Sequence, residues 1–151
     1  MSSADGYVRC AQGHRHWGLA GAAGLLVRHL DGAGVRRYLL QHRAPGTHHG
    51  DTWGIPGGAL DWTESAEEGA RRESVEELGG LPDGLTTVRI HRDDHGGWTY
   101  STVVVDSPER FAPDVVGWEV GEHGYRWCTR HELEALALHP GFAASLDHVL
   151  D

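Results

Sequence analysis

The sequence contains no lysine and no asparagine, and it has few cysteines and no long apolar run. Cys10 and Cys128 stand alone, without a C-x-x-C pair, which favours two free thiols over a disulfide framework. No stretch approaches the roughly 18 apolar residues that a membrane-spanning helix needs, and residues 1–10 lack the apolar segment of a signal peptide. These absences predict a soluble, cytoplasmic protein without a membrane partner.

All 13 positive side chains are arginines, and they are outnumbered by 22 aspartates and glutamates, for a net charge of −9. An acidic protein repels the phosphates of DNA and RNA, so polymeric nucleic acid is not expected as a partner. A small phosphorylated substrate is still compatible with this charge if a metal ion and a few arginines screen its phosphates locally. A chain of 151 residues suits one domain, with residues 1–17 as a less regular, polar N-terminal arm.

Strands and helices alternate along the rest of the chain. Two hairpins are expected, and a short strand at Trp53 and a last strand at residues 124–128 add to them. The hairpins pair residues 18–30 with 35–43 and residues 85–93 with 98–106. Thr129 and Glu132 form a capping box that opens a helix over 131–138, which Pro140 ends, and residues 142–150 read as a closing helix. The pattern indicates an α/β or α+β fold.

The helix expected between Ser65 and Leu78 carries the most informative cluster. Ser65 with Glu68 makes a capping box, and Gly79 fits the left-handed position after the last turn. At 100° per residue, three glutamates lie within an arc of about 100°, while Val75 and Leu78 point toward the core. The glutamates are Glu73, Glu76 and Glu77.

Carboxylates three and four residues apart on a helix repel one another, by a few tenths of a kcal/mol per pair when exposed. In a cleft the repulsion is larger, and a bound cation removes it. A cluster of oxygen ligands suits Mg²⁺, with Mn²⁺ as a substitute. Upstream, Pro56, Gly57 and Gly58 form an abrupt turn whose glycines let the backbone approach a ligand.

The spacing of these residues resembles the Nudix box, GX5EX7REUXEEXGU. Seven fixed positions match, and a W-x-x-P-G-G segment precedes them from Trp53; the seven are Gly58, Glu64, Arg72, Glu73, Glu76, Glu77 and Gly79. The pattern calls for an aliphatic residue at its two U positions, and this sequence has Ser74 and Gly80 there instead. The resemblance implies an α/β/α sandwich with a mixed sheet and a loop-helix-loop catalytic motif.

The resemblance also implies roles for the box residues. Glu73, Glu76 and Glu77 would bind the metal, together with a backbone carbonyl of Gly57 or Gly58. Arg72 would orient the box glutamates and pair with Glu64, which supports the site without being a primary ligand. Glu73 is the preferred general base, and Glu76, Glu119 and Glu122 are the alternatives.

Substrate contacts are expected outside the box. Trp98 and Tyr100 share one face of a predicted strand, where they could stack on a base. His48 and His49, in a loop at the mouth of the site, could contact phosphate. The H-x-H pair at His14 and His16 has no cysteine partners at zinc-finger spacing, so a structural zinc site is not expected.

The function implied by the resemblance is hydrolysis of a pyrophosphate linkage in a nucleoside diphosphate joined to another group. A nucleoside triphosphate, including oxidised forms, is the first substrate class, and ADP-ribose or a nucleotide sugar is the second. A non-catalytic nucleotide-binding module of the same fold is the alternative of another kind. Family members are often homodimers, so a homodimer is left open beside a monomer.

Overall fold

The structure is a computed structural model that describes residues 3–114 and 120–150, and for residues 120–123 the backbone alone. A mixed sheet of seven strands forms the centre, and a separate two-stranded hairpin lies at the N-terminal end. The elements are β1 (Tyr7–Arg9), β2 (Arg15–Trp17), β3 (Ala22–Leu30), β4 (Arg36–Arg43), β5 (Trp53–Gly54), β6 (Gly57–Ala59), α1 (Ala66–Leu78), β7 (Thr86–Asp94), β8 (Thr99–Asp106), β9 (Val120–Cys128), α2 (Arg130–Glu134) and α3 (Pro140–Val149).

The sheet is built from the two expected hairpins, β3–β4 and β7–β8, each antiparallel. They join through β3 and β8, which run parallel with Ala22 opposite Tyr100 and Arg28 opposite Asp106. Strands β5 and β9 pair with β4, and β6 pairs with the first half of β3. This parallel junction makes the sheet mixed, as predicted.

Two apolar layers cover the sheet, one on each face. Because side chains alternate along a strand, Leu25 and Val27 face the layer under α1, whereas Leu26 faces the layer under α2 and α3. Strand β8 divides in the same way, with Val103 and Val105 on the α1 side and Val104 on the other. The result is the predicted α/β/α sandwich.

Helix α1 has the predicted ends. The Ser65 side chain accepts a hydrogen bond from the Glu68 backbone, Glu68 returns one to Ser65, and Gly79 takes a left-handed φ of 77°. Leu78 is buried as expected, but Val75 is 47% exposed, so its predicted core position is wrong. The buried face of α1 consists instead of Gly69, Ala70, Ser74 and Leu78.

One other expectation needs correction. The second helix does not continue to Pro140: α2 ends at Glu134, and Pro140 occupies the first turn of α3. Residues 137–139 are extended because Trp53 donates to the Ala137 carbonyl and His139 donates to that of Trp53. Within residues 1–17, predicted to be a less regular arm, the structure contains the short β1–β2 hairpin. Among the described helices, none has the length and apolarity needed to cross a bilayer.

Candidate functional site

The box glutamates of α1 lie directly on the glycines of β6. The Gly57 amide donates to Glu77 Oε2 at 2.8 Å. A Cβ added at Gly58 would meet the Glu73 carboxyl carbon at 2.6 Å, which is closer than van der Waals contact. Glycine is therefore required in the middle of β6, since a side chain at residue 58 would displace the carboxylate of Glu73.

Arg72 connects the remaining parts of the site. Its Nε and Nη2 donate to the two carboxylate oxygens of Glu64 at 2.7 and 2.9 Å, and Nη2 also donates to the Ala59 carbonyl at 3.1 Å. Its Nη1 lies 3.0 Å from Glu73 Oε1 and 3.5 Å from Glu76 Oε1. One guanidinium thus fixes the loop after β6 and two box glutamates relative to one another.

The electrostatics of Glu64 and Glu73 differ. Hydrogen bonds from Arg72 are the main cause of the lowered pKa of Glu64, whose side chain is 12% exposed. Burial raises the pKa of Glu73, and Arg72 opposes that rise, while the charges of Glu76 and Glu64 add to it. Two partly buried carboxylates therefore sit side by side, one firmly ionised and one that ionises less readily.

Glu76 differs from its neighbours by its exposure. Its side chain is 59% exposed, against 20% for Glu73, and it touches Arg72 at the solvent edge of the site.

The arrangement of the box glutamates suits a hard divalent cation. Glu73 and Glu77 are held against a glycine backbone that leaves no room for a side chain, and carboxylate oxygens are the ligands that Mg²⁺ and Mn²⁺ prefer. The carbonyl contribution of Gly57 or Gly58 stays a prediction.

Tyr100 lies close to the glutamates. Its hydroxyl approaches Gly24 so closely that a Cβ there would come within 2.2 Å of it. Burial and the nearby charge of Glu77 raise its pKa, and the positive charge of Arg43 opposes that rise. The Tyr100 hydroxyl thus feels the charges of both Glu77 and Arg43.

Trp98 neighbours Tyr100, with ring centroids 6.3 Å apart, but one of its faces is already covered. The imidazole of His16 stacks on the Trp98 ring, with the centroids 3.9 Å apart and the two ring planes almost parallel. The indole N–H donates a hydrogen bond to the Gly18 carbonyl. Stacking of a nucleotide base on Trp98 would have to use the opposite face.

His48 and His49 lie beside two residues that the sequence interpretation did not select. Arg43 donates twice to the His48 carbonyl, at 2.7 and 3.0 Å, and the His49 ring meets that of His139 edge-on at 4.7 Å. Burial, followed by the charges of Arg43, His49 and His48, lowers the pKa of His139 to about 4. Arg43 comes at the end of a strand, just before a Pro-Gly loop, and that position was the signal available in the sequence.

Glu119 lies outside the described residues, and of Glu122 the structure describes the backbone in β9 but not the side chain. Their expected contributions stay predictions.

The structure accommodates both departures from the box, Ser74 and Gly80. Ser74 is fully buried and its hydroxyl donates to the Ala70 carbonyl at 2.7 Å, while a Cβ at Gly80 would meet open space.

Known proteins resemble this chain in sequence and in fold. A protein from Mycobacterium tuberculosis named "Putative 8-oxo-dGTP diphosphatase 3" is 44% identical over 147 residues, which cover 93% of this chain and 66% of that protein. The chain therefore spans slightly less than two thirds of the length of this relative.

Solved structures give the same picture. The crystal structure of a Nudix hydrolase from M. smegmatis, RenU, matches with a TM-score of 0.84 and 40% identity, covering 95% of this chain and 91% of that one. A MutT Nudix hydrolase from Burkholderia pseudomallei matches with a TM-score of 0.59 and 25% identity, covering 86% of this chain and 98% of that one.

The model of the NUDIX domain family matches residues 19–149, most of the chain. Together with the box glutamates on β6, the match establishes that this chain belongs to the Nudix hydrolase family.

Proposed function

We propose that the chain hydrolyses the pyrophosphate linkage of a nucleoside triphosphate, including oxidised forms such as 8-oxo-dGTP, with a divalent metal ion. The observation that carries the proposal is the placement of Glu73 and Glu77 against Gly57 and Gly58, with Arg72 bonded to both Glu64 and Glu73. The oxidised substrate is favoured by the name of the M. tuberculosis relative.

Glu73, Glu76 and Glu77 would hold the metal, which is Mg²⁺ or Mn²⁺ by the hardness of the oxygen ligands. When bound there, such an ion neutralises phosphate charge and lowers the pKa of coordinated water. The hydrogen-bonding groups of Arg72 are engaged by Glu64, Glu73 and Ala59. The ion would therefore supply the charge that a triphosphate needs beside the glutamates.

The protein's own groups would position the reactants. Arg72 keeps the carboxylate of Glu73 at a fixed angle, which is the preorganisation that an in-line attack requires. We assign the general base to Glu73, which would accept the proton of the attacking water at a carboxylate oxygen. Glu64, firmly ionised by Arg72, would keep the guanidinium in place and take no proton.

Phosphate and base contacts would come from outside the box. Arg43 offers positive charge at the end of β4, and the neighbouring His48 and His49 offer imidazole hydrogen-bonding groups. Tyr100, between Arg43 and the glutamates, would line the path from this loop to the metal site. The face of Trp98 opposite His16 remains the candidate for stacking on a base.

The test measures the products that the full chain forms from a panel of substrates: phosphate and pyrophosphate from the triphosphates, and nucleoside mono- and diphosphates from every substrate, separated by chromatography. The panel holds the common nucleoside triphosphates, 8-oxo-dGTP, ADP-ribose and a nucleotide sugar, each with Mg²⁺, with Mn²⁺ and with chelator. Glu77→Gln is the test variant because glutamine can still accept the Gly57 hydrogen bond. Glu109→Gln, at an exposed loop residue, is the matched control.

Metal-dependent hydrolysis of a triphosphate, lowered at least 100-fold in Glu77→Gln and unchanged in Glu109→Gln, is the expected result, on the scale of a lost catalytic electrostatic contact. Hydrolysis of ADP-ribose or a nucleotide sugar in preference to every triphosphate would replace the substrate assignment. Tight binding of a nucleotide without any turnover would identify a non-catalytic module instead.

A further inference from the structure

The β1–β2 hairpin carries three metal-ligating side chains that face one another. Cys10, His14 and His16 each offer a ligand atom, and these atoms all lie within 4.8 Å of one another. Zinc binds sulfur at about 2.3 Å and imidazole nitrogen at about 2.0–2.1 Å, so small side-chain movements would bring these three atoms onto one ion. We propose that Cys10, His14 and His16 form a second metal site, for a soft divalent ion of the Zn²⁺ class, separate from the box glutamates.

The backbone of the hairpin builds this arrangement. The Cys10 amide donates to the His14 carbonyl at 2.9 Å and the Gly13 amide donates to the Cys10 carbonyl at 3.0 Å, which closes the turn between the strands. Gly13 takes a left-handed φ of 83°, so the turn depends on glycine. His16 follows in β2 opposite Val8, and the three side chains converge although the sequence spacing C-x-x-x-H-x-H is not that of a zinc finger.

An unsatisfied nitrogen provides independent support. His16 Nε2 is buried and has no hydrogen-bond partner, and the same is true of Nδ1 of His95, whose ring centroid lies 5.0 Å from that of His16. Burying an imidazole nitrogen without a partner is unfavourable, and coordination to a metal satisfies it. Cys10, only 5% exposed, places a buried sulfur beside these rings.

The surroundings also hold the rings in place. His16 is stacked on Trp98 with an interplanar angle of 4°, which fixes the orientation of its imidazole. His95 Nε2 lies 2.9 Å from Asp93 Oδ2, the carboxylate–histidine pairing that commonly orients metal-binding imidazoles. His95 is therefore the candidate for the fourth ligand, and a water molecule is the alternative in an open zinc position.

The ligand chemistry separates the two sites. A thiolate with two imidazoles selects Zn²⁺ and other soft or borderline ions, whereas the carboxylates of α1 suit Mg²⁺ and Mn²⁺. An ion on the hairpin would strengthen a contact that the protein already makes: the Ala11 amide donates to the Gly96 carbonyl at 2.7 Å, which joins the hairpin to the β7–β8 turn. Because Trp98 follows that turn, the hairpin site would stabilise the wall on which Trp98 and Tyr100 lie.

The experiment is Co²⁺ titration of the metal-free full chain, purified without a polyhistidine tag and kept in excess Mg²⁺ to occupy the carboxylate site. A thiolate bound to Co²⁺ gives a near-ultraviolet charge-transfer band that histidines or carboxylates alone do not give. The expected result is one equivalent of Co²⁺ producing this band, and Zn²⁺ displacing it.

The chain offers a matched control in its second buried free cysteine. Cys10→Ala should abolish the band, and Cys128→Ala should keep it. His14 is exposed, so His14→Gln should leave the fold intact while lowering Zn²⁺ affinity, measured by chelator competition, on the order of 100-fold or more.

Absence of the band from the wild-type chain, or its persistence in Cys10→Ala, overturns the proposal. Equal Zn²⁺ affinity of wild type and His14→Gln would also overturn it, since that variant removes a ligand without disturbing the buried part of the hairpin. None of these measurements depends on hydrolysis, so they stand apart from the test of the proposed function.

Discussion

Arg72 holds Glu64 with two parallel hydrogen bonds, from Nε to Oε2 at 2.7 Å and from Nη2 to Oε1 at 2.9 Å. The same guanidinium donates to Glu73, so the loop after β6 and helix α1 share one rigid connection. This pair links stability to function. Replacing Glu64 would loosen the loop after β6, whereas replacing Arg72 would change the angle of the Glu73 carboxylate in the candidate site.

Glu64→Gln should destabilise the fold at neutral pH, by about 1–2 kcal/mol, because a charged hydrogen-bond acceptor of Arg72 becomes neutral. The pKa of Glu64 is lowered in the folded chain, so its contribution is complete above the pKa of the unfolded carboxyl and is lost as the pH falls through the folded value. Urea unfolding at about pH 7 and about pH 3 should show the difference from wild type at the higher pH and little at the lower. Glu109→Gln should show no such dependence.

Arg72→Lys should lower kcat by roughly 10–100-fold, a larger loss of activity than its loss of stability explains, because lysine keeps the charge but cannot hold two carboxylates at fixed angles. Arg71→Lys is the matched control. Arg71 is the neighbouring residue on α1, and it bonds Leu85 and Thr87 instead of the box glutamates. Equal activity losses in the two variants would argue against a positioning role for Arg72.

Gly58→Ala should reduce activity about 10-fold or more with a change of less than about 1 kcal/mol in the free energy of unfolding. The added methyl group meets the end of the flexible Glu73 side chain, which can move aside at little cost to the fold but then leaves its place in the site. Gly32→Ala, where a Cβ meets nothing within 4 Å, is the control. Full activity of Gly58→Ala would contradict the assigned position of Glu73.

His139 should make stability depend on pH in mildly acidic solution. Its pKa is lowered to about 4 in the folded chain, so between about pH 4 and about pH 6.5 the unfolded chain binds the extra proton. The free energy of unfolding should therefore rise with pH across this window, by at most about 1.4 kcal/mol per pH unit from this residue.

His139→Asn should flatten that rise while keeping a side-chain acceptor for the Gly141 amide. His131→Asn, at an exposed helix position, should retain the wild-type slope. Thermal or urea unfolding across the window measures both, and an unchanged slope in His139→Asn would remove His139 as its source.

Local rules predicted most of what surrounds the box. The ends of α1 follow from Ser65, Glu68 and Gly79, and both hairpins follow from alternating apolar runs separated by Gly-rich turns. The resemblance of the box supplied the sandwich and the pairing of Arg72 with Glu64. These features depend on residues close in sequence or on a motif of fixed spacing.

What the sequence did not predict depends on distant contacts. Helix α2 stops early because residues 137–139 hydrogen-bond to Trp53, far away in the chain, and this tertiary contact overrides a favourable helical sequence. Arg43 approaches Tyr100 only once β3, β4 and β8 are aligned side by side. Strands β1 and β2 have three residues each, too few for an alternating pattern to be recognised.

Cys10 illustrates the same limit. Its distance from His14 and His16 was visible in the sequence but matched no zinc-finger spacing, and the three side chains meet because a left-handed Gly13 folds the turn. His95 joins them from a hairpin that lies far along the chain. The cluster could be found only from the structure.

The parallel pairing of β3 with β8 has a consequence for the order of folding. Each hairpin on its own joins residues close in sequence, but Arg28 and Asp106 come together across 78 positions, a closure with a larger entropic cost. The segment with β6 and α1 lies between the two hairpins in the sequence, and β6 pairs with Ala22–Gly24, residues that also pair with β8. In refolding experiments, hairpin formation should therefore precede the packing of helix α1, because α1 contacts β3, β6 and β8 and is seated only when the two halves of the sheet dock.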